Sequence, residues 1–256
     1  MRCFAQAAAA ASPESTDSFA SNMIKDTAAL LVCAGSASRM GGINKILHPL
    51  GNSTVLLTGL RSMCACESIA ELIVVCKPDE KAVFCSVIEA AGLPLPVCVV
   101  EGGATRQESV RNGFLHVSEA CSYVAIHDGA RPLVLPEDIA RVIADARRTG
   151  AATLGVPAKD TIKVVRQGII TDTPDRSLLF QTQTPQVFSC ELYRAAMKLA
   201  EAQGKDYTDD CQLIEALGRQ VTMTTGDYSN LKLTTPEDFA IAEALLAMRG
   251  KESENG

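Results

Sequence analysis

Residues 27–45 read TAALLVCAGSASRMGGINK, an unbroken apolar run leading into a loop of small residues that carries Arg39 and Lys45. Continuous rather than alternating apolarity marks a strand buried on both faces, as strands of parallel sheets are. The strand is expected over AALLVCA (28–34), and four similar runs follow: LIVVC (72–76), LPVCVV (95–100), YVAIH (123–127) and AATLGVP (151–157). Helical patterns near 54–66, 79–91, 105–118 and 136–149 separate them at a spacing suited to crossover units. The expected fold class is therefore α/β, with a doubly wound, mainly parallel sheet. Residues 159–188 break the rhythm. DTIKVVRQGIITDT reads as two short strands around Gln167-Gly168, and the polar DRSLLFQTQTPQVF follows. An extended β-arm suited to a dimer contact or a lid is expected there. Helices near 189–203 and 208–217, a strand at 219–225 and a last helix from Pro236, with Thr235 as its N-cap, complete the chain.

Composition limits the function classes. With 47% hydrophobic and 21% charged residues, the 256-residue chain matches ordinary soluble domains, and one catalytic-size domain over 27–249 accounts for it. A net charge of −6 argues against broad binding to nucleic acid or to an anionic membrane surface. No apolar run reaches the ~18–20 residues that span a bilayer. The ten cysteines show no CxxC pair and several sit inside apolar runs, so they read as packed thiols in a reducing, cytoplasmic setting. The Ala- and Ser-rich residues 1–26 read as a disordered extension, and 250–256 as a polar tail.

In an open parallel sheet, ligands bind beyond the carboxyl ends of the strands. The loop after the first strand stands at that edge. Ala34, Gly35 and Ser36 let the backbone approach a phosphate chain and donate to its oxygens, while Arg39 and Lys45 neutralise charge. Alone, the same loop is equally a turn with two solvated cations. It is neither GxGxxG nor GxxxxGK[ST]. HDGARP (127–132) places Asp128 and Arg131 after another strand. Asp128 there suits sugar hydroxyls or Mg²⁺, or it is a turn residue bonded to backbone N–H groups. His48, His116 and His127 have no companion at metal-ligand spacing and read as structural.

Five segments in order carry a resemblance: CAGSASRMGGINK (33–45), GGATRQESVRNG (102–113), HDGARP (127–132), PAKDTIK (157–163) with LFQTQTPQVF (179–188), and DYSNLKLTTPEDF (227–239). Together they resemble the 2-C-methyl-D-erythritol 4-phosphate cytidylyltransferases of the non-mevalonate isoprenoid pathway, over about 27–247. Cys33 and Ala37 depart from that family's loop, which has Ala and Gly there, and Gly129 stands where Ala is usual. The resemblance implies a nucleotide-diphospho-sugar transferase fold, Rossmann-like, and transfer of the cytidylyl group of CTP to methylerythritol phosphate with release of pyrophosphate. It implies Arg39, Lys45, Arg176 and Lys232 as catalytic. CTP is assigned to Ala34, Gly35, Ser36, Arg39, Lys45, Gly103, Arg106, Ser109 and Asp128, with cytosine read at Gly103 and Ser109. The acceptor is assigned to Asp128, Arg131, Thr161, Arg176, Thr184 and Lys232. Mg²⁺ is expected on the triphosphate, with Asp128 as its protein ligand. The resemblance also implies a homodimer in which Thr161 and Arg176 reach the neighbouring site. A ribitol-5-phosphate cytidylyltransferase, or a non-catalytic nucleotide-binding protein of the same fold, remains open at this point.

Overall fold

The computed structural model describes residues 24–35 and 44–254. In chain order the elements are β1 (Thr27–Val32), β2 (Pro49–Leu50), β3 (Ser53–Thr54), α1 (Val55–Cys64), β4 (Ile69–Cys76), α2 (Lys81–Ala91) and β5 (Val97–Glu101). Then come α3 (Arg106–Phe114), β6 (Tyr123–Asp128), α4 (Pro136–Thr149), β7 (Ala151–Pro157), β8 (Val164–Arg166), β9 (Ile169–Asp172) and β10 (Phe180–Ser189). The last are α5 (Cys190–Gln203), α6 (Asp210–Ala216), β11 (Thr222–Thr225) and α7 (Pro236–Glu254).

Seven strands form one sheet in the order β11-β7-β10-β6-β1-β4-β5. All neighbouring pairs are parallel except those of β10, which runs antiparallel between β6 and β7. β1, β4, β6 and β7 are predominantly apolar because helices cover both faces of the sheet. Alternate residues of β1 go to opposite sides: Ala29 and Leu31 pack with α1, α2 and α4, through Leu60, Phe84 and Ile143. Ala28 and Leu30 pack with α3, α5 and α6, through Phe114, Tyr193 and Ile214. The expected doubly wound α/β architecture is thus present. Among the described residues, no helix is long and apolar enough to cross a membrane.

Three expected boundaries are corrected. The arm expected over 159–188 ends earlier, since Phe180–Ser189 is β10, a central strand of the sheet. Its Gln183, Thr184 and Gln186 are buried polar residues, so the segment lacks the apolar signature of its neighbours. The arm proper is the β8–β9 hairpin, turning through Gln167 at φ 51° and Gly168 at φ 80°. The extension expected over 1–26 lies outside the described residues up to 23, but Ile24–Asp26 belong to the domain. Asp26 O accepts from Ser122 N and Tyr123 N, and Arg147 donates to Ile24 O at 2.6 Å. Finally, α7 continues through Glu254, because nothing in RGKESE stops a helix. The expected tail therefore starts as helix.

Candidate active site

The carboxyl ends of β1, β4 and β6 are level, Val32 pairing with Asp128 on one side and Val75 on the other. Hydrogen bonding continues one residue past each strand: Cys33 N to Val75 O at 2.7 Å, Gly102 N to Cys76 O at 2.8 Å and Gly129 N to Val32 O at 3.0 Å. The following loops are thereby held at fixed heights around a cleft of about 640 Å³. That volume is in the range of ~300–1,000 Å³ typical of small-molecule sites.

One wall is the GGATR segment before α3. Thr105 caps the helix by accepting from Glu108 N at 3.1 Å, and the Glu108 carboxylate accepts from Ala104 N, one residue before the cap, at 2.7 Å. The buried Ser109 hydroxyl accepts from Gly103 N at 3.0 Å and donates to Thr105 O at 2.9 Å. A Cβ on Gly102 would lie 2.7 Å from Ala34 Cβ, and one on Gly103 would collide with Glu108. Both glycines are therefore required by close approach. The opposite wall is the segment before α7. Leu233 N donates to Ala130 O at 2.8 Å, and Lys45 Nζ donates to Leu233 O at 2.9 Å, linking the first loop to the last.

Asp128 lies between these walls. Lys232 Nζ is 2.7 Å from its Oδ2, Arg131 Nε 3.9 Å from Oδ2, and Arg106 NH2 3.8 Å from Oδ1. Burial works to raise the Asp128 pKa, but Lys232, Arg106 and Arg131 together bring it below the ordinary carboxylate value. Arg106 also pairs with the buried Asp210 at 2.7 Å. Burial opposes its charge, and the Asp210 and Asp128 carboxylates more than offset that, so its pKa is raised. The result is a cation-rich, partly enclosed surface with one ionised carboxylate, matched to an anionic ligand that also carries hydroxyls.

The structure brings most of the sequence-derived site together. Ala34, Gly35, Lys45, Gly103, Arg106, Ser109, Asp128 and Lys232 all line the cleft. Arg131 and Thr184 stand behind it. Arg131 NH1 donates to Asn230 O at 2.7 Å, and Thr184 Oγ1 accepts from Asp128 N at 3.0 Å. Thr161 and Arg176 do not line this chain's own cleft. Thr161 is exposed, and Arg176 NH1 donates to Lys159 O at 2.6 Å at the base of the arm. Ser36 and Arg39 lie outside the described residues. His127 is fully buried between Thr184 Oγ1 and Arg131 O, and burial pushes its pKa down to about 4, so it is a neutral structural group near pH 7. Ser109, expected on the cytosine, has its hydroxyl engaged with the backbone, and so shapes the Gly103 wall.

Sequence reading passed over Lys77, Thr105 and Thr234, which also line the cleft. Lys77 follows the buried strand β4 at the same sheet edge, so the rule that located Asp128 could have found it. Among the described residues no group of three or more His, Cys, Asp or Glu side chains is placed to hold a metal. The nine described cysteines are all free thiols, and burial raises the pKa of Cys33, which lines the cleft beside Gly129.

Comparison with known proteins agrees with this geometry. The chain matches the family model for 2-C-methyl-D-erythritol 4-phosphate cytidylyltransferase over residues 27–248. A protein of that name from Caldanaerobacter subterraneus subsp. tengcongensis is 43% identical over 225 residues, covering 86% of this chain and 99% of its own. One from Syntrophotalea carbinolica is 45% identical over 229 residues, covering 86% and 96%. The crystal structure of 4-diphosphocytidyl-2C-methyl-D-erythritol synthase from Anaerococcus prevotii superposes with a TM-score of 0.78 at 29% identity, covering 87% of this chain and 99% of that one. With described residues of four of the five ordered motifs lining one cleft and a family match over residues 27–248, the chain belongs to the 2-C-methyl-D-erythritol 4-phosphate cytidylyltransferase family.

Proposed function

We propose that this protein transfers the cytidylyl group of CTP to 2-C-methyl-D-erythritol 4-phosphate, releasing pyrophosphate and giving 4-diphosphocytidyl-2-C-methyl-D-erythritol. The observation that carries the reading is the cleft at the carboxyl edge of β1, β4 and β6, where Arg106 and Lys232 flank Asp128 and Lys45, Ala34 and Gly35 share the lining. The acceptor phosphate, with a second pKa near ~6, is largely a dianion at neutral pH and attacks the α-phosphorus without a general base. The barrier is charge repulsion, and preplaced cations lower it. Lys45, with Arg39 from the same loop, neutralises the triphosphate and the leaving pyrophosphate, and Lys232 orients the incoming phosphate. Gly102 and Gly103 allow the base to lie against the GGATR wall, and Asp128 accepts hydroxyl protons of ribose or acceptor.

The donor set suits a Mg²⁺ ion held chiefly by triphosphate oxygens, with Asp128 as its single carboxylate from the protein. Such an ion would withdraw charge from the phosphate oxygens. The working unit is a homodimer in a cytoplasmic compartment. Support for the dimer comes from the arm, where Val165, Ile169 and Ile170 on the two-stranded hairpin, and Leu178 just after it, are exposed apolar side chains that the hairpin cannot bury alone. Thr161 and Arg176 then serve the partner's cleft. Pyrophosphate release from CTP, measured in parallel with methylerythritol phosphate and ribitol 5-phosphate, tests the reading. The first acceptor is expected to be used at a specificity constant at least a hundredfold higher, a margin that an acceptor-shaped polar site can supply. Preference for ribitol 5-phosphate, or no release with either, would refute it.

A further inference from the structure

Beneath the cleft lies a second carboxylate that the reaction above does not use. Asp210, the first residue of α6, is 1% exposed. It does not cap its helix, because Asp209 accepts from Gln212 N at 3.0 Å and takes that role. Its own backbone N–H donates to Gln186 Oε1 at 3.0 Å. The Oδ1 atom accepts from the buried Tyr193 hydroxyl at 2.6 Å. The Oδ2 atom is buried without an aligned hydrogen bond, and Arg106 NH2 stands 2.7 Å away.

We propose that Asp210, oriented by Tyr193, is the residue that positions the Arg106 guanidinium on the nucleotide cleft. The proposal rests on the reading of that cleft as a CTP site. Two carboxylates compete for one NH2 group, and Asp210 at 2.7 Å holds it against Asp128 at 3.8 Å. A carboxylate buried this deeply is costly without a counter-charge, so Arg106 cannot leave Asp210 cheaply. Asp128 is already paired with Lys232 at 2.7 Å. With Arg106 held back, Asp128 Oδ1 stays open to a ligand hydroxyl, and Arg106 stays a fixed cation on the cleft floor. The Tyr193 ring is stacked on Phe188 of β10, centroids 5.4 Å apart, so the orientation is anchored in the sheet. Asp210 and Tyr193 thus act through Arg106 and are positioning residues.

The test is a cycle of Asp210→Asn, Arg106→Ala and the double variant, with CTP affinity read by calorimetry, kcat at saturating CTP, and thermal melting. Asp210→Asn should weaken CTP binding roughly tenfold, the scale of one charge-assisted contact, while kcat at saturation changes less than about threefold. In the Arg106→Ala background the same substitution should weaken binding no further. The double variant should melt above Arg106→Ala alone, because that single change strands the Asp210 charge. Tyr193→Phe removes one oxygen and gives a milder loss of affinity, roughly threefold, with little risk to the fold. Failure of the wild-type protein to bind CTP would overturn the underlying reading. Wild-type binding with unchanged affinity in folded Asp210→Asn or Tyr193→Phe, or additive losses in the cycle, would overturn the positioning role alone.

Discussion

Replacing Gly129 with alanine tests how the cleft floor is packed. A Cβ at this position would stand 2.4 Å from Cys33 Sγ and 3.2 Å from Val32 O, against ordinary contacts that begin at 3.4 Å. The sulfur is buried and the second neighbour is backbone, so about 1 Å of room has to come from movement of β1 or of the Asp128–Ala130 loop. Overpacking of this kind costs ~1–3 kcal/mol, and backbone involvement points to ~2–3 kcal/mol here. For a domain of this size that lowers Tm by roughly 4–12 °C. Cys33→Ala removes the sulfur and on its own costs about 1 kcal/mol, a typical value for a single core change. Combined, the two substitutions leave only the 3.2 Å contact, so the double variant should melt higher than Gly129→Ala. The expected coupling is at least about 1 kcal/mol. Asp128 and Ala130 flank Gly129 and line the cleft, so KM for CTP should rise in the single variant and recover in the double. Thermal unfolding with steady-state kinetics on the four proteins is the assay. Additive effects, or a Gly129→Ala protein as stable as wild type, would refute the packing argument. With coupling of the expected size, Cys33 and Gly129, two of the three departures from the family's loops, are one compensated change.

Three further outcomes are expected. His127 is neutral in the fold, with its pKa lowered from 6.5 to about 4, so its contribution to stability is complete above pH 6.5 and is lost as pH falls toward 4. Urea midpoints should fall more steeply across that window in wild type than in His127→Gln, and equal slopes would contradict the assignment. Lys232→Ala removes the main group lowering the Asp128 pKa, so the stability that Asp128 contributes above its pKa should be lost at a higher pH on acidification, with turnover strongly reduced; an unmoved acid transition by circular dichroism would count against the pairing. Mixing Arg176→Ala chains with Lys45→Ala chains under subunit exchange should restore activity if clefts are completed by a partner's arm. No recovery after confirmed exchange would remove the shared-site proposal and leave the CTP chemistry standing.

The strands most legible in sequence are those with helices on both faces. β1, β4, β6 and β7 are predominantly apolar because α-helices bury both sides, and their positions follow from that pattern. β10 was hidden by its polarity. Gln183 reaches Asp227 O at 2.9 Å, Gln186 receives Asp210 N at 3.0 Å and Thr184 receives Asp128 N at 3.0 Å, partners 24 to 56 residues away. A buried polar strand satisfied over such distances has no local periodicity to detect. In the site, Asp128, Ala34 and Gly35 were legible because they end or follow buried strands at the ligand-bearing edge. Asp210 was not, since Asp-Asp before an apolar helix reads as capping, and its pairing with Arg106 depends on α3 and α6 sharing one face of the sheet. Ser109 lines the cleft with its hydroxyl bonded to the Gly103 and Thr105 backbone, and sequence alone does not distinguish a hydroxyl so held from one that faces a ligand.

The central claim is nucleophilic attack by the acceptor phosphate on the α-phosphorus of CTP. Incubating the protein with methylerythritol phosphate and CTP carrying ¹⁸O on the non-bridging α-phosphoryl oxygens, then following the label by ³¹P NMR and mass spectrometry, tests it most directly. The label should appear in a cytidine diphospho-polyol while unlabelled pyrophosphate is released in equal amount. Label recovered as free CMP, or transfer of the γ-phosphoryl group to the polyol, would contradict it.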